Sequence, residues 1–178
     1  MSMAKYIRSF FLILLSFYLV SNGHTQSLAE DNTVALVRAN YLYQFAINNN
    51  WPKECKSGKF KVAVIGNLDL FEVMATKYGS KPIGSQTMEI IAQNEFRPDQ
   101  NYHMIFLDKS RKSDLSRIVK AYKGSGTLII TNFDSALKEG SHINFRNLEG
   151  NIRFELNKTG MDESGITAGV KILQWALS

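Results

Sequence analysis

The sequence holds a single cysteine, Cys55, in 178 residues. An intrachain disulfide is therefore excluded, and so are four-cysteine zinc sites and CxxC redox motifs. His24, His103 and His142 are the only histidines, and none has a His or Cys partner at metal-ligand spacing. No GxSxG elbow surrounds a serine, and no carboxylate pair can be assigned to acid–base work. Internal repeats and low-complexity stretches are absent. Long apolar runs are limited to one, Phe10 to Val20. Nothing in this inventory points to catalysis, to a metal or to a cofactor.

Lys5 and Arg8 precede the apolar run, and small or polar residues such as Ser21 and Gly23 follow it. That is the pattern of a secretory signal peptide. The run is shorter than the ~20 residues of a membrane span; an uncleaved anchor is the alternative. No cysteine follows it, so a lipid-modified N-terminus is not expected. Residues 1–23 read as the signal peptide and 24–178 as one domain. At about 155 residues this domain can bury a full core without staples. Removing Lys5 and Arg8 from the 21 basic residues leaves 19 against 16 acidic ones, a net charge of +3. These are scattered, apart from KSRK at 109–112, and do not form the dense patch of a nucleic-acid binder.

Asp31-Asn32-Thr33 can cap a helix over about 34–49, with Val34, Val37, Tyr41, Leu42 and Phe45 at helical spacing. Pro52 ends it, because the residue before a proline disfavours helix. KFKVAVIG is a strand, and Gly66 allows a sharp turn into a helix from about Leu68 to Tyr78. TMEIIAQ, HMIFLD and TLIITN are further strands, the second apolar throughout and so buried on both faces. KSDLSRIVKAY is a short amphipathic helix. A hairpin follows, and then a helix containing Val170, Ile172, Leu173 and Trp175. This order predicts an α/β fold with a mostly parallel sheet, helices on both faces and a C-terminal antiparallel hairpin.

Ligands in such sheets sit at the carboxyl ends of the strands, here Gly66-Asn67, Asp108-Lys109 and Asn132. The segment GNLDLF lacks two of the three glycines of GxGxxG, which argues against a nucleotide there. Asp108 sits where response-regulator receivers carry a phosphorylated Asp, but the partner acids are missing, so a capping role is preferred. The hairpin HINFRNLEGNIRFELN carries Ile143, Phe145, Ile152, Phe154 and Leu156 on one face. The other bears Asn144, Arg146, Asn151, Arg153, Glu155 and Asn157. This polar row is either a solvated face or a recognition face on which Arg153 meets a carboxylate or phosphate. Tyr43 lies well round the helix from Tyr41, and with Trp51 it is a candidate for an apolar contact surface.

Three segments together resemble the YfiR-like family of exported repressors of membrane-bound diguanylate cyclases. VRANYLYQFAINNNWP is similar to the family's opening helix and its Trp-Pro exit. VAVIGNLDLF is similar to its first strand, and GSHINFRNLEGNIRFELNKTGMDESGITAGVKIL to its closing part. The resemblance implies a Rossmann-like three-layer sandwich, often dimeric, in the periplasm. It implies binding without enzymatic turnover; no cofactor is expected from the motifs above. The implied partner is an inner-membrane signalling protein, a diguanylate cyclase or a sensor kinase. Site residues carried by the closing motif and the opening helix are Arg153, Glu155, Asn151, Asn157, Tyr43 and Trp51. Two features depart from the family: paired cysteines are missing, and Ala168-Gly169-Val170 stands where Ile-Ser-Ser is usual. A small-solute-binding protein serving a sensor or transporter is the alternative function; one domain lacks the second lobe that would close over the solute.

Overall fold

The computed structural model describes residues 33–98 and 100–177. Ala35–Ser178 forms one compact unit. The signal peptide expected over 1–23 lies outside the described residues.

Helix α1, over 33–48, is followed by a 3-10 turn, Lys53–Cys55. Then come β1 (Lys59–Ile65), α2 (Leu68–Tyr78), β2 (Pro82–Ile83), β3 (Gln86–Gln93) and β4 (Met104–Leu107). A 3-10 segment (Lys109–Asp114) leads into α3 (Leu115–Ala121), and β5 (Leu128–Thr131) follows. The hairpin is β6 (Ile143–Leu148) and β7 (Asn151–Leu156), and the chain ends in α4 (Lys158–Glu163) and α5 (Val170–Trp175). The expected helix over about 112–122 thus starts as 3-10 turn up to Asp114 and is α-helical only over Leu115–Ala121.

The sheet has seven strands in the order β2-β3-β1-β4-β5-β6-β7. Pairs β3–β1, β1–β4, β4–β5 and β5–β6 are parallel. Both edges are antiparallel, β2 on β3 and β7 on β6. The α/β expectation, mostly parallel with a C-terminal hairpin, therefore holds. The five parallel strands follow the 2-1-3-4-5 order of doubly wound sheets, with the switch point between β1 and β4.

Alternation along the central strands decides which helix covers which face. Ala63, Ile65, Ile105, Leu107 and Ile129 face one way and pack with Leu115 and Ile118 of α3. Phe106 faces the other way and meets Phe145 of β6, on which Tyr41 and Phe45 of α1 also lie. Burial of four consecutive residues in β4, Met104 to Leu107, follows from that double cover.

At the hairpin tip Glu149 and Gly150 both have positive φ, 51° and 82°, the signature of a tight two-residue connection. The outer edge of β7 is partly occupied, because Leu177 N donates to Phe154 O at 2.8 Å.

Candidate functional site

Doubly wound sheets bind at the switch point, and here the chain fills that crevice itself. Asp108 accepts from Asn67 Nδ2 at 3.0 Å and from Asn132 Nδ2 at 2.8 Å. Its second oxygen accepts from Ser110 N at 3.0 Å, which makes Asp108 the cap of the 3-10 segment as expected. Burial alone would raise this carboxyl; hydrogen bonds from Ser110, Asn67 and Asn132 outweigh it and hold the pKa below the usual value. Gly66 has φ +78°, and a Cβ there would stand 2.6 Å from Arg111 Cγ. The carboxyl ends of β1, β4 and β5 are thus tied to one another by their own side chains.

A groove opens elsewhere, where α1 and α5 meet the edge strand β7. Its volume is about 490 Å³, and Val37, Asn40, Tyr41, Gln44, Arg153, Gln174 and Trp175 line it. Tyr41 is anchored by its rings' contacts with Phe145 and Phe154 at 5.8 and 5.4 Å. Asn40 accepts a hydrogen bond from the Tyr78 hydroxyl. Arg153 is exposed on the last strand, so its long side chain reaches the groove, and no carboxylate among the described residues pairs with it. The groove therefore offers an uncommitted guanidinium, two aromatic rings and three side-chain amides. That set suits an acidic group attached to an apolar or aromatic body.

The residues singled out in the sequence distribute as follows. Arg153 enters the groove. Glu155 does not pair with it; the nearest cation is Arg146 Nη1, at 3.9 Å, which also meets Asp134 at 3.2 Å. Arg146 is the cross-strand partner of Arg153, so two like charges face each other and the acids gather round one of them. Asn151 is exposed beside the turn, its Nδ2 donating to Glu149 O at 3.4 Å. Asn157 caps α4, accepting from Gly160 N at 3.0 Å. Asn144, expected on the polar row, is buried and accepts from Thr131 Oγ1 and Phe133 N.

Tyr43 is half-buried and stacked on Tyr78, with ring centroids 4.6 Å apart. Through Tyr78 it supports Asn40 at the groove wall. Trp51 is buried away from the groove, edge-on to Phe60, its Nε1 donating to Ala46 O at 3.1 Å. In the sequence Trp175 stands out only as a member of the last helix. Its 37% exposure places it on the groove instead, and six-residue α5 is too short for apolar spacing to tell the two apart.

The YfiR/HmsC-like family model covers residues 35–177. The chain belongs to the YfiR/HmsC-like family. That match begins within α1 and includes every groove residue of this YfiR/HmsC-like chain. No curated protein matches the sequence.

Proposed function

We propose that this YfiR/HmsC-like protein is an exported regulatory binding protein that represses an inner-membrane signalling enzyme, a diguanylate cyclase, without turnover of its own. The domain is a Rossmann-like three-layer sandwich working in the periplasm after removal of residues 1–23. Cyclic di-GMP synthesis on the cytoplasmic side is what it controls, through the enzyme's outward-facing part.

The observation that carries this reading is the groove of Arg153, Tyr41 and Trp175, whose cation meets no carboxylate among the described residues. Beside it α5 exposes Val170, Leu173 and Trp175. An unpaired guanidinium next to an apolar ridge is the composition of a protein-binding hot spot. A signalling partner presenting a carboxylate beside an apolar side chain complements it.

Co-purification from membranes tests this. Wild type is expected to bring down a membrane protein with a diguanylate cyclase or sensor kinase domain. Arg153→Ala and Trp175→Ala are each expected to lose most of it. Recovery equal to wild type in both variants removes the groove from the function.

The second reading, a small-solute-binding protein serving a sensor kinase or transporter, draws on the groove's size, which lies within the ~300–1,000 Å³ of small-molecule sites. Saturable solute binding with no membrane partner would favour it.

A further inference from the structure

Charge is placed unevenly along this chain. Residues 109–123 hold six basic side chains, Lys109, Arg111, Lys112, Arg117, Lys120 and Lys123, against one acid, Asp114. Taking them from the 19 basic and 16 acidic residues of 24–178 leaves 13 basic and 15 acidic, a net charge of −2. One stretch of 15 residues therefore carries +5 and makes an otherwise slightly acidic domain basic.

The fold turns this stretch outward. It comprises the 3-10 segment, α3 and the turn after it, and it packs on the sheet through Leu115, Ile118 and Tyr122. Asp114 is buried and holds Arg111 at 2.9 Å and Arg117 at 3.2 Å, so one carboxylate answers two guanidiniums. Lys109, Lys112, Lys120 and Lys123 are all exposed, and none has an ion pair among the described residues. Ser113 and Ser116 are exposed between them, and no large apolar side chain is exposed from 109 to 123.

The make-up of this face decides what it attracts. Both arginines, whose planar forks would select a single carboxylate or phosphate, are engaged by Asp114. The uncommitted charges are lysines, point charges on flexible stems that reward negative charge and impose little geometry. No apolar anchor accompanies them, as the hot spot of a protein interface would require. A layer of anionic phospholipid headgroups offers dense charge without fixed geometry and complements such a face. Helix α3 covers one side of the sheet and α1 the other, so covering this face leaves the Arg153 groove open.

We propose that the 3-10 segment and α3 form an electrostatic docking face for bilayers of anionic phospholipid, with Lys109, Lys112, Lys120 and Lys123 lying over the headgroups. The contact is peripheral, since this face has no apolar side chain to insert. It goes beyond the repressor reading and does not depend on the Arg153 groove.

The test is co-sedimentation with vesicles. The chain is used without residues 1–23, whose apolar run would bind any bilayer by itself, and the compact unit Ala35–Ser178 is kept whole. Phosphatidylcholine vesicles containing about one-third phosphatidylglycerol are expected to bring the protein down, and pure phosphatidylcholine vesicles are not. Raising salt from about 0.01 to 0.1 M, which shortens the screening distance from ~30 to ~10 Å, is expected to release most of it. A lysine near such a surface is worth roughly fivefold in partitioning. The pair Lys109→Gln and Lys112→Gln, and the pair Lys120→Gln and Lys123→Gln, should therefore each weaken binding on the order of tenfold. Lys77→Gln with Lys81→Gln removes equal charge from exposed positions at the end of α2, whose Tyr78 stacks on Tyr43 of α1 across the sheet from α3. That pair should weaken binding by less than about twofold. All three pairs change exposed side chains only, so melting temperatures should match wild type. Arg153→Ala should bind vesicles as wild type does, which keeps this test separate from that of the groove. Two results would each overturn the proposal. One is no preference for anionic vesicles; retention on immobilised polyglutamate would then give the face to an acidic protein. The other is equal weakening by the Lys77 and Lys81 pair, which would make net charge alone responsible.

Discussion

His142 and Ile129 exchange two hydrogen bonds: His142 N donates to Ile129 O at 2.9 Å, and Ile129 N donates to His142 Nδ1 at 3.1 Å. His103 and Lys61 repeat the arrangement at the start of β4, with distances of 2.9 and 3.1 Å. An imidazole that accepts at Nδ1 must be neutral there, so both clamps depend on unprotonated histidine.

Acid should therefore loosen the fold as these histidines are driven to take up protons. Burial pushes His142 down to about 4 from 6.5, and burial also lowers His103. Between pH 6.5 and 4 the unfolded chain binds more protons than the folded one, so stability is full above that window and falls as pH drops through it. For His142 the loss is on the order of 3 kcal/mol at full extent. Urea midpoints measured across the window should fall, and His142→Asn, which keeps an acceptor for Ile129 N, should flatten the slope.

Asp108→Ala should destabilise by about 2–4 kcal/mol, because Asn67, Asn132 and Ser110 N all lose their acceptor in a buried site. The carboxyl's lowered pKa puts its own pH effect on the other side of the histidines. Its stabilisation is present above about pH 4 and is lost as pH falls further. Chemical denaturation at pH 7 and pH 3 separates the two, since the gap between variant and wild type should narrow in acid.

Gly66→Ala meets both a left-handed backbone and the Arg111 side chain. A cost of about 2–3 kcal/mol is expected from the conformational penalty plus displacement of Arg111. Adding Arg111→Ala should recover only the steric part, which a double-mutant cycle would reveal as positive coupling.

Asn157→Ala should cost about 1 kcal/mol, the usual value of a helix cap, without changing recovery of a membrane partner. Arg153→Ala should do the reverse, altering stability by less than about 0.5 kcal/mol at an exposed position with no ion pair among the described residues. Melting curves and co-purification on the same two variants would assign one residue to structure and the other to recognition.

Long periodic segments were legible before the structure. The apolar spacing of Val37, Tyr41, Leu42 and Phe45 marks α1, and the run HMIFLD marks β4, because local sequence carries those periods. Short elements were not. Helix α4 spans six residues, contains Gly160 and owes its start to Asn157, too little sequence to show a period. Strand β2 is two residues long and exists through pairing with Gln86 and Thr87. The site divides in the same way. Arg153 follows from strand alternation, whereas its company of Asn40, Gln174 and Trp175 depends on how α5 docks. Tyr43 faces away from the core as its helical position implied, yet α2 supplies Tyr78 to cover it. Asn49 lies inside an NNN run that reads only as a helix end; its bond from Gly169 N joins positions 120 residues apart, which no local pattern shows.

The bond from Leu177 to Phe154 also bears on solubility. An outermost strand with bare amides and carbonyls is a template on which further chains can stack into fibrils. By laying residue 177 along β7, the protein spends a little of its own backbone to deny strangers that foothold. Trimming those last residues should leave the core intact and yet yield a protein that clouds on standing.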